Sequence, residues 1–152
     1  MKKHMIRFFA FFGFLFVLAA TPTFAQNSSS AVTADIPFDF SVANRTLPAG
    51  EYTVKGGPNT ASILIRNDKG KGAVTVFAQL TNPNSEAKKS ALVFRRYGNQ
   101  YFLARVIHTD GSYGREIAMS KTEKRLVKGS SDRNLAQNKV EPEIVTIIAE
   151  LQ

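Results

Sequence analysis

Asp35 and Asp39 stand four residues apart in the run Val32 to Phe40, and two carboxylates on one side of a strand are the minimum equipment of a glycosidase. Four residues of strand span about 13 Å, whereas glycoside hydrolysis holds its two carboxyls roughly 5 to 9.5 Å apart. Only a kink at Pro37 would shorten the distance, and solvent-facing charges on an edge strand account for the pair more simply. His108, Asp110 and Ser112 have the side-chain types of a hydrolytic triad. They crowd around one turn, while a working triad converges from separate segments. Gly70-Lys71-Gly72 has the outline of a phosphate loop, but Ile65 stands where that motif needs its first glycine, and no hydroxyl residue follows the lysine. The chain has no cysteine and only two histidines, His4 and His108. Thiol catalysis and thiolate metal sites are thereby excluded, and a lone downstream histidine makes no two-histidine metal site. No catalytic residue, metal ligand or cofactor site is expected.

Charge is the stronger signal. From Lys88 to Lys139 the chain carries twelve Lys or Arg against four acids, Asp110, Glu116, Glu123 and Asp132. Lys88, Lys89, Arg95, Arg96, Arg105, Lys121, Lys124, Arg125 and Lys128 form a candidate surface for an anionic polysaccharide, an anionic envelope surface or a protein partner; a solvated, solubilising face is the plainer alternative. Phe94, Tyr97, Tyr101 and Phe102 interleave with these cations, as in single-strand binders. Core positions explain the same rings, and no nucleic acid is expected as a partner of an exported chain.

Export is read from the first twenty-five residues. Lys2, Lys3 and Arg7 precede an apolar run from Phe8 to Ala20, and Thr23-Phe24-Ala25 sets small residues one and three positions before a cut. These are the parts of a cleaved secretory signal in their usual order. The run is shorter than the about 20 residues of a membrane span, and Pro22 closes it. Cleavage after Ala25 leaves Gln26 to Gln152, 127 residues, and the loss of three basic side chains lowers the net charge from +8 to +5. A periplasmic or extracellular location follows. No cysteine sits at the cut to take a lipid, and none is present to form disulfides, so the core alone must hold the domain together.

The elements that would carry these residues repeat with period two. Gln26 to Ser30 is a polar leader. Val32, Ala34, Ile36, Phe38 and Phe40 alternate with polar residues, and Pro37 requires this strand to lie at an edge or to break. Asn44 to Gly50 reads as a turn region, followed by strands over 51–55, 61–66 and 73–80. Residues 91–97 and 100–108 form a hairpin closed by Gly98-Asn99, because glycine at the first turn position permits the primed geometry. That turn pairs Arg95 with Phe102, Phe94 with Leu103, Val93 with Ala104 and Leu92 with Arg105. A short strand is expected over 115–119. Ser120-Lys121-Thr122-Glu123 matches a capping box for one or two helical turns. Residues 129–139 read as a loose polar loop, and Glu143 to Leu151, with the apolar Ile144, Val145, Ile147 and Ile148, as a buried terminal strand that completes the sheet.

About eight short strands at intervals of 8–14 residues define a mainly β domain over 31–152, an antiparallel β-sandwich or small barrel with one short helix in its second half. Leu47-Pro48-Ala49-Gly50-Glu51-Tyr52 has the form of a tyrosine corner, with Pro48, Gly50 and Tyr52 in structural roles, or of an ordinary turn before a strand. Together with Ile36-Pro37-Phe38-Asp39-Phe40, Asn44, Leu92-Val93-Phe94, Tyr97-Gly98, Gln100-Tyr101-Phe102-Leu103 and Gly114-Arg115-Glu116, this segment resembles a family of small exported bacterial proteins with no assigned activity. The resemblance runs from about Thr33 to Leu126. It implies a signal peptide and a β fold and supplies no catalytic residue. The expected function is a non-enzymatic binding or structural module at the cell envelope. The alternatives are a β-barrel carrier of a small apolar ligand, with Ile144 to Ile148 lining its cavity, or a hydrolase.

Overall fold

Period-two alternation becomes strand nearly everywhere that it occurs in the sequence. The computed structural model describes residues 31–57, 61–67, 73–81, 89–108, 114–133 and 141–152. Its elements are β1 (Val32–Ile36), β2 (Phe40–Val42), β3 (Arg45–Leu47), β4 (Gly50–Gly56), β5 (Ser62–Asn67), β6 (Ala73–Phe77), β7 (Gln79–Thr81), β8 (Ala91–Tyr97), β9 (Gln100–Ile107), β10 (Gly114–Glu116), a helix that we label α1 (Lys121–Arg133), β11 (Glu143–Ile148) and β12 (Glu150–Leu151). They form a β-sandwich of two sheets. The first runs β12-β1-β4-β5-β6 and the second β11-β8-β9-β10-β7. All pairings are antiparallel except that of β2, which lies parallel to the start of β9 and carries β3 on its other side.

Twelve strand segments replace about eight runs because the chain changes sheets inside three of them. Pro37, lacking an N–H, ends β1, and three residues later the chain enters the second sheet as β2. Ala78 separates β6 from β7, and Ala149 separates β11 from β12. Both alanines are buried, and each still donates to the sheet that it is leaving, Ala78 to Ala61 O and Ala149 to Ser90 O. Strands that bend from one sheet into the other are how sandwiches make their corners. The remaining addition is β3, in the segment that reads as a turn. Ala43 and Asn44, both with positive φ (47° and 65°), reverse the chain and bring Arg45–Leu47 back along β2.

Of the two outcomes that Pro37 allows, the strand breaks there; β4 flanks β1 along its whole length, and β12 pairs with Val32 and Thr33 on its other side. Four expectations require correction. The β8–β9 register holds from the turn to Phe94–Leu103 and then slips by one, so Val93 faces Arg105 and Leu92 faces Val106. The bulge at Ala104 has a clear cause, since strict alternation would put Arg105 beside Leu92 in the core, whereas the slip sends it outward and turns Val106 in. α1 continues through Arg133, well beyond two turns and into the stretch that reads as loop; residues 134–140 of that stretch lie outside the described residues. The run from Ile144 is not a buried strand, because β11 is an edge strand of the second sheet, with Ile144 and Ile148 each 59% exposed. Nor do those two residues line a cavity, since they face away from the interior that Val145 and Ile147 pack against.

The interior is organised by rings. Phe38, on the crossing between β1 and β2, stacks on Tyr101 at 3.8 Å between centroids and meets Phe94 edge-on at 5.2 Å. Phe40 meets Phe94 at 5.5 Å and Tyr52 at 5.1 Å, both edge-on. Such pairs contribute about 0.5–1.5 kcal/mol each beyond their buried area. Around them Val32, Ile36, Val54, Ile63, Ile65, Leu92 and Val106 are almost wholly buried. Arg115 of β10 is also buried, and its Nη1 donates to Ser62 O of β5 at 2.9 Å, joining the two sheets.

At one end of the ring chain the Tyr52 hydroxyl donates to Pro48 O at 2.8 Å, the bond of a tyrosine corner. Gly50, at φ +149°, makes the sharp entry into β4 in a region that only glycine occupies readily. Asp39 Oδ1 accepts the Ala49 N–H at 2.9 Å and fastens the β1–β2 crossing to the same turn. Gly98 has φ +61° while Asn99 stays at negative φ, the pattern of a type II′ hairpin turn. Removing only the corner hydrogen bond, by Tyr52→Phe, should cost on the order of 1 kcal/mol; urea denaturation checks this, and an unchanged midpoint would show that the bond adds nothing to the packing of the ring.

Candidate functional site

The nine cations that the sequence singles out meet different fates. Arg95, Arg96 and Arg105 lie on β8 and β9 and each has an acid partner. Arg96 Nη1 meets Glu143 Oε2 at 3.1 Å, its Nε donates to Gly98 O, and its guanidinium sits 5.4 Å from the Tyr101 ring centre. Arg105 Nη2 lies 3.7 Å from Glu116 Oε2. Arg95 is the most enclosed, as described below. Lys89 is exposed just before β8, and Lys88 lies outside the described residues. The remaining four, Lys121, Lys124, Arg125 and Lys128, are all exposed on α1. Their spacing of three and four puts them on one helix face, and no ion pair joins any of them to an acid whose side chain is described, a set that leaves out Asp132.

The position of that face is set from beneath. Ser120 Oγ accepts the Glu123 N–H at 3.0 Å and Ser120 O accepts the Lys124 N–H, which starts the helix as the sequence predicts. The second half of the capping box is absent. The Glu123 carboxylate turns down to the sheet, where Oε1 takes Arg95 Nε at 2.5 Å and Oε2 takes Nη2 at 3.1 Å. The two side chains are 2% and 12% exposed. A two-pronged arginine–carboxylate bond fixes direction as well as distance. Asn44, held by its left-handed backbone in the β2–β3 turn, offers Oδ1 to the Thr122 N–H at 3.4 Å. The first turn of α1 is thus moored to both β8 and the β2–β3 hairpin.

Tyr97, next but one to Arg95, completes the buried polar cluster. Its ring meets Phe102 edge-on at 5.9 Å. Its hydroxyl is buried and, by strict geometry, has no hydrogen-bond partner among the described residues. Glu123 is nevertheless close enough to act on it. Burial first, and the Glu123 carboxylate second, push the Tyr97 pKa above the usual tyrosine value, with the Arg95 guanidinium opposing them.

The candidate catalytic groups are not brought together. Asp35 is exposed on β1 opposite Glu51, and Asp39 is spent on Ala49. His108 is buried at the end of β9, while Asp110, Ser112 and Gly70-Lys71-Gly72 lie outside the described residues. Among the described residues, no three His, Asp or Glu side chains gather as metal ligands. Sequence reasoning missed Asn44 and the true partner of Glu123. A glutamate three residues after a serine signals a cap, and nothing in the sequence links it to an arginine twenty-eight positions earlier.

Fold and site together define a cysteine-free antiparallel β-sandwich with one moored basic helix. No family model, curated protein or solved structure matches the chain.

Glu123→Gln removes the charge and leaves the Arg95 guanidinium enclosed without its counter-ion, which should cost roughly 3 kcal/mol. A double replacement, Arg95→Met with Glu123→Leu, should recover most of that loss in the same urea titration; full stability of Glu123→Gln alone would show that the pair does not hold the helix. Tyr97 adds a pH dependence. Because the folded state keeps the phenol proton longer, the Tyr97 contribution is complete below the unfolded tyrosine pKa of about 10 and is lost as pH rises toward the folded value. Thermal melts across that alkaline range should show a decline that Tyr97→Phe flattens.

Proposed function

We propose that the protein is an exported, non-enzymatic binding module of the cell envelope, whose α1 face takes an anionic polymer such as an acidic polysaccharide. One observation carries this reading: Lys121, Lys124, Arg125 and Lys128 share an exposed face, unpaired with any acid whose side chain is described, on a helix whose opposite side is fastened by Glu123. Fixed cations lose little freedom when an anion arrives, so more of their attraction is realised as affinity. The signal-like N-terminus supports an envelope setting. The ring-filled interior supports binding on the surface in preference to within the domain.

Near an anionic surface each cation contributes about 1 kcal/mol. Replacing all four by Gln should therefore weaken binding to polygalacturonate at low salt by roughly two to three orders of magnitude, with no change in melting temperature. Raising the salt should weaken the unaltered protein in the same direction. Calorimetry or fluorescence anisotropy reads both effects, and affinity that survives the four replacements would remove α1 from the binding surface.

A further inference from the structure

β11 leaves one edge open. β8 pairs along its whole length on one side, and no strand among the described residues pairs along the other. The bond from Ala149 N to Ser90 O sets the phase of that ladder. In an antiparallel pair alternate residues turn their N–H and C=O to the neighbour, so Val145, Ile147 and Ala149 face β8. Ile144, Thr146 and Ile148 direct theirs to the open edge. Their side chains are exposed too, on the outer face that also bears Arg95 and α1. Proteins usually blunt such an edge with lysine, proline, a bulge or an inward charge. Glu143–Ile148 has none of these, and its one charge, Glu143, is already matched by Arg96.

We propose that this edge is the contact surface for a second copy of the chain, with β11 pairing antiparallel to β11 about a two-fold axis at Thr146. The strand is complementary to itself in this register and in no other as fully. Ile144 then faces the second copy's Ile148, Thr146 faces Thr146, and Ile148 faces Ile144, so all three outward-directed residues exchange hydrogen bonds. Glu143 falls opposite Ala149, and no like charges oppose each other. An axis at Val145 would instead set Pro142, which has no N–H, opposite Ile148, and an axis at Ile147 would bring Glu150 against Ile144. Paired isoleucines and threonines are favourable cross-strand neighbours. The β8 strands of the two copies lie three strand spacings apart, about 14 Å, which leaves room for a helix of about 10 Å diameter on each. A two-fold axis normal to the sheet also puts both α1 helices on the same side. This inference stands independently of the anion-binding reading, and its test does not involve an anion.

The absence of cysteine makes that test direct. Hydrogen-bonded partners across an antiparallel pair have Cα atoms about 5.5 Å apart, within the range that a disulfide bridges. Thr146→Cys should therefore cross-link to a covalent dimer under mild oxidation, while Glu51→Cys, exposed on β4 between β1 and β5, should not. In sedimentation velocity the unaltered protein should form a concentration-dependent dimer, and Ile144→Lys with Ile148→Lys should abolish it without lowering the melting temperature. A monomer throughout the micromolar range, equal cross-linking of both cysteine variants, or a dimer that survives the lysines would overturn the proposal. So would open-ended aggregates, because two-fold pairing consumes the edge and closes.

Discussion

Phe38 and Phe40 flank the point at which the chain leaves one sheet for the other, and their rings both reach Phe94. Through Phe40 the contact passes to Tyr52 of β4, and through Phe38 to Tyr101 of β9. The two sheets are therefore gripped by a segment that belongs to both. That arrangement answers the central problem of a domain of this size without disulfides, which must fix the relative position of two layers by packing alone. Between the two rings, Asp39 bonds the Ala49 N–H of the turn that the Tyr52 hydroxyl closes. Crossing, corner and core are one unit, and the rest of the sandwich is built outward from it.

The outer face of the second sheet shows a different economy of charge. Arg95 and Glu123 are removed from water, where a matched pair fixes geometry more reliably than it adds stability. Lys121, Lys124, Arg125 and Lys128 remain in water, where they retain their reach. The first turns of the same helix thus carry the negative charge of Glu123 inward and their positive charges outward. The field of that face is more basic than its sequence, because Glu123 is neutralised by the sheet.

The fold was largely legible, and the reasons are local. Alternation marked the strands, Gly98-Asn99 the hairpin and Leu47 to Tyr52 the corner. What the sequence concealed required contacts between distant residues. Pro37 announced a break but not that the next residues would join another sheet. Ala78 and Ala149 are unremarkable in sequence and become corners only because they are small enough to be buried where two layers meet. Ile144 to Ile148 has the composition of an interior strand, and only its place at the end of the sheet order exposes half of it. In the candidate site the cations of α1 were visible as a helical pattern, whereas the burial of Arg95 depended on Glu123 and no spacing rule connects them.

The pairing of β12 with β1 brings the two ends of the domain together, and Gln152 N donates to Ala31 O. β1 therefore receives one of its two neighbours from a segment that lies, in sequence, on the far side of every other strand of the sandwich. β4 can hold β1 early, through a short loop, whereas the β12 contact must close a very long one. Contacts between residues so distant in sequence form late in folding, because the entropy of closing the loop is lost before the contact repays it. The outer side of β1 is accordingly the last part of the first sheet to be covered.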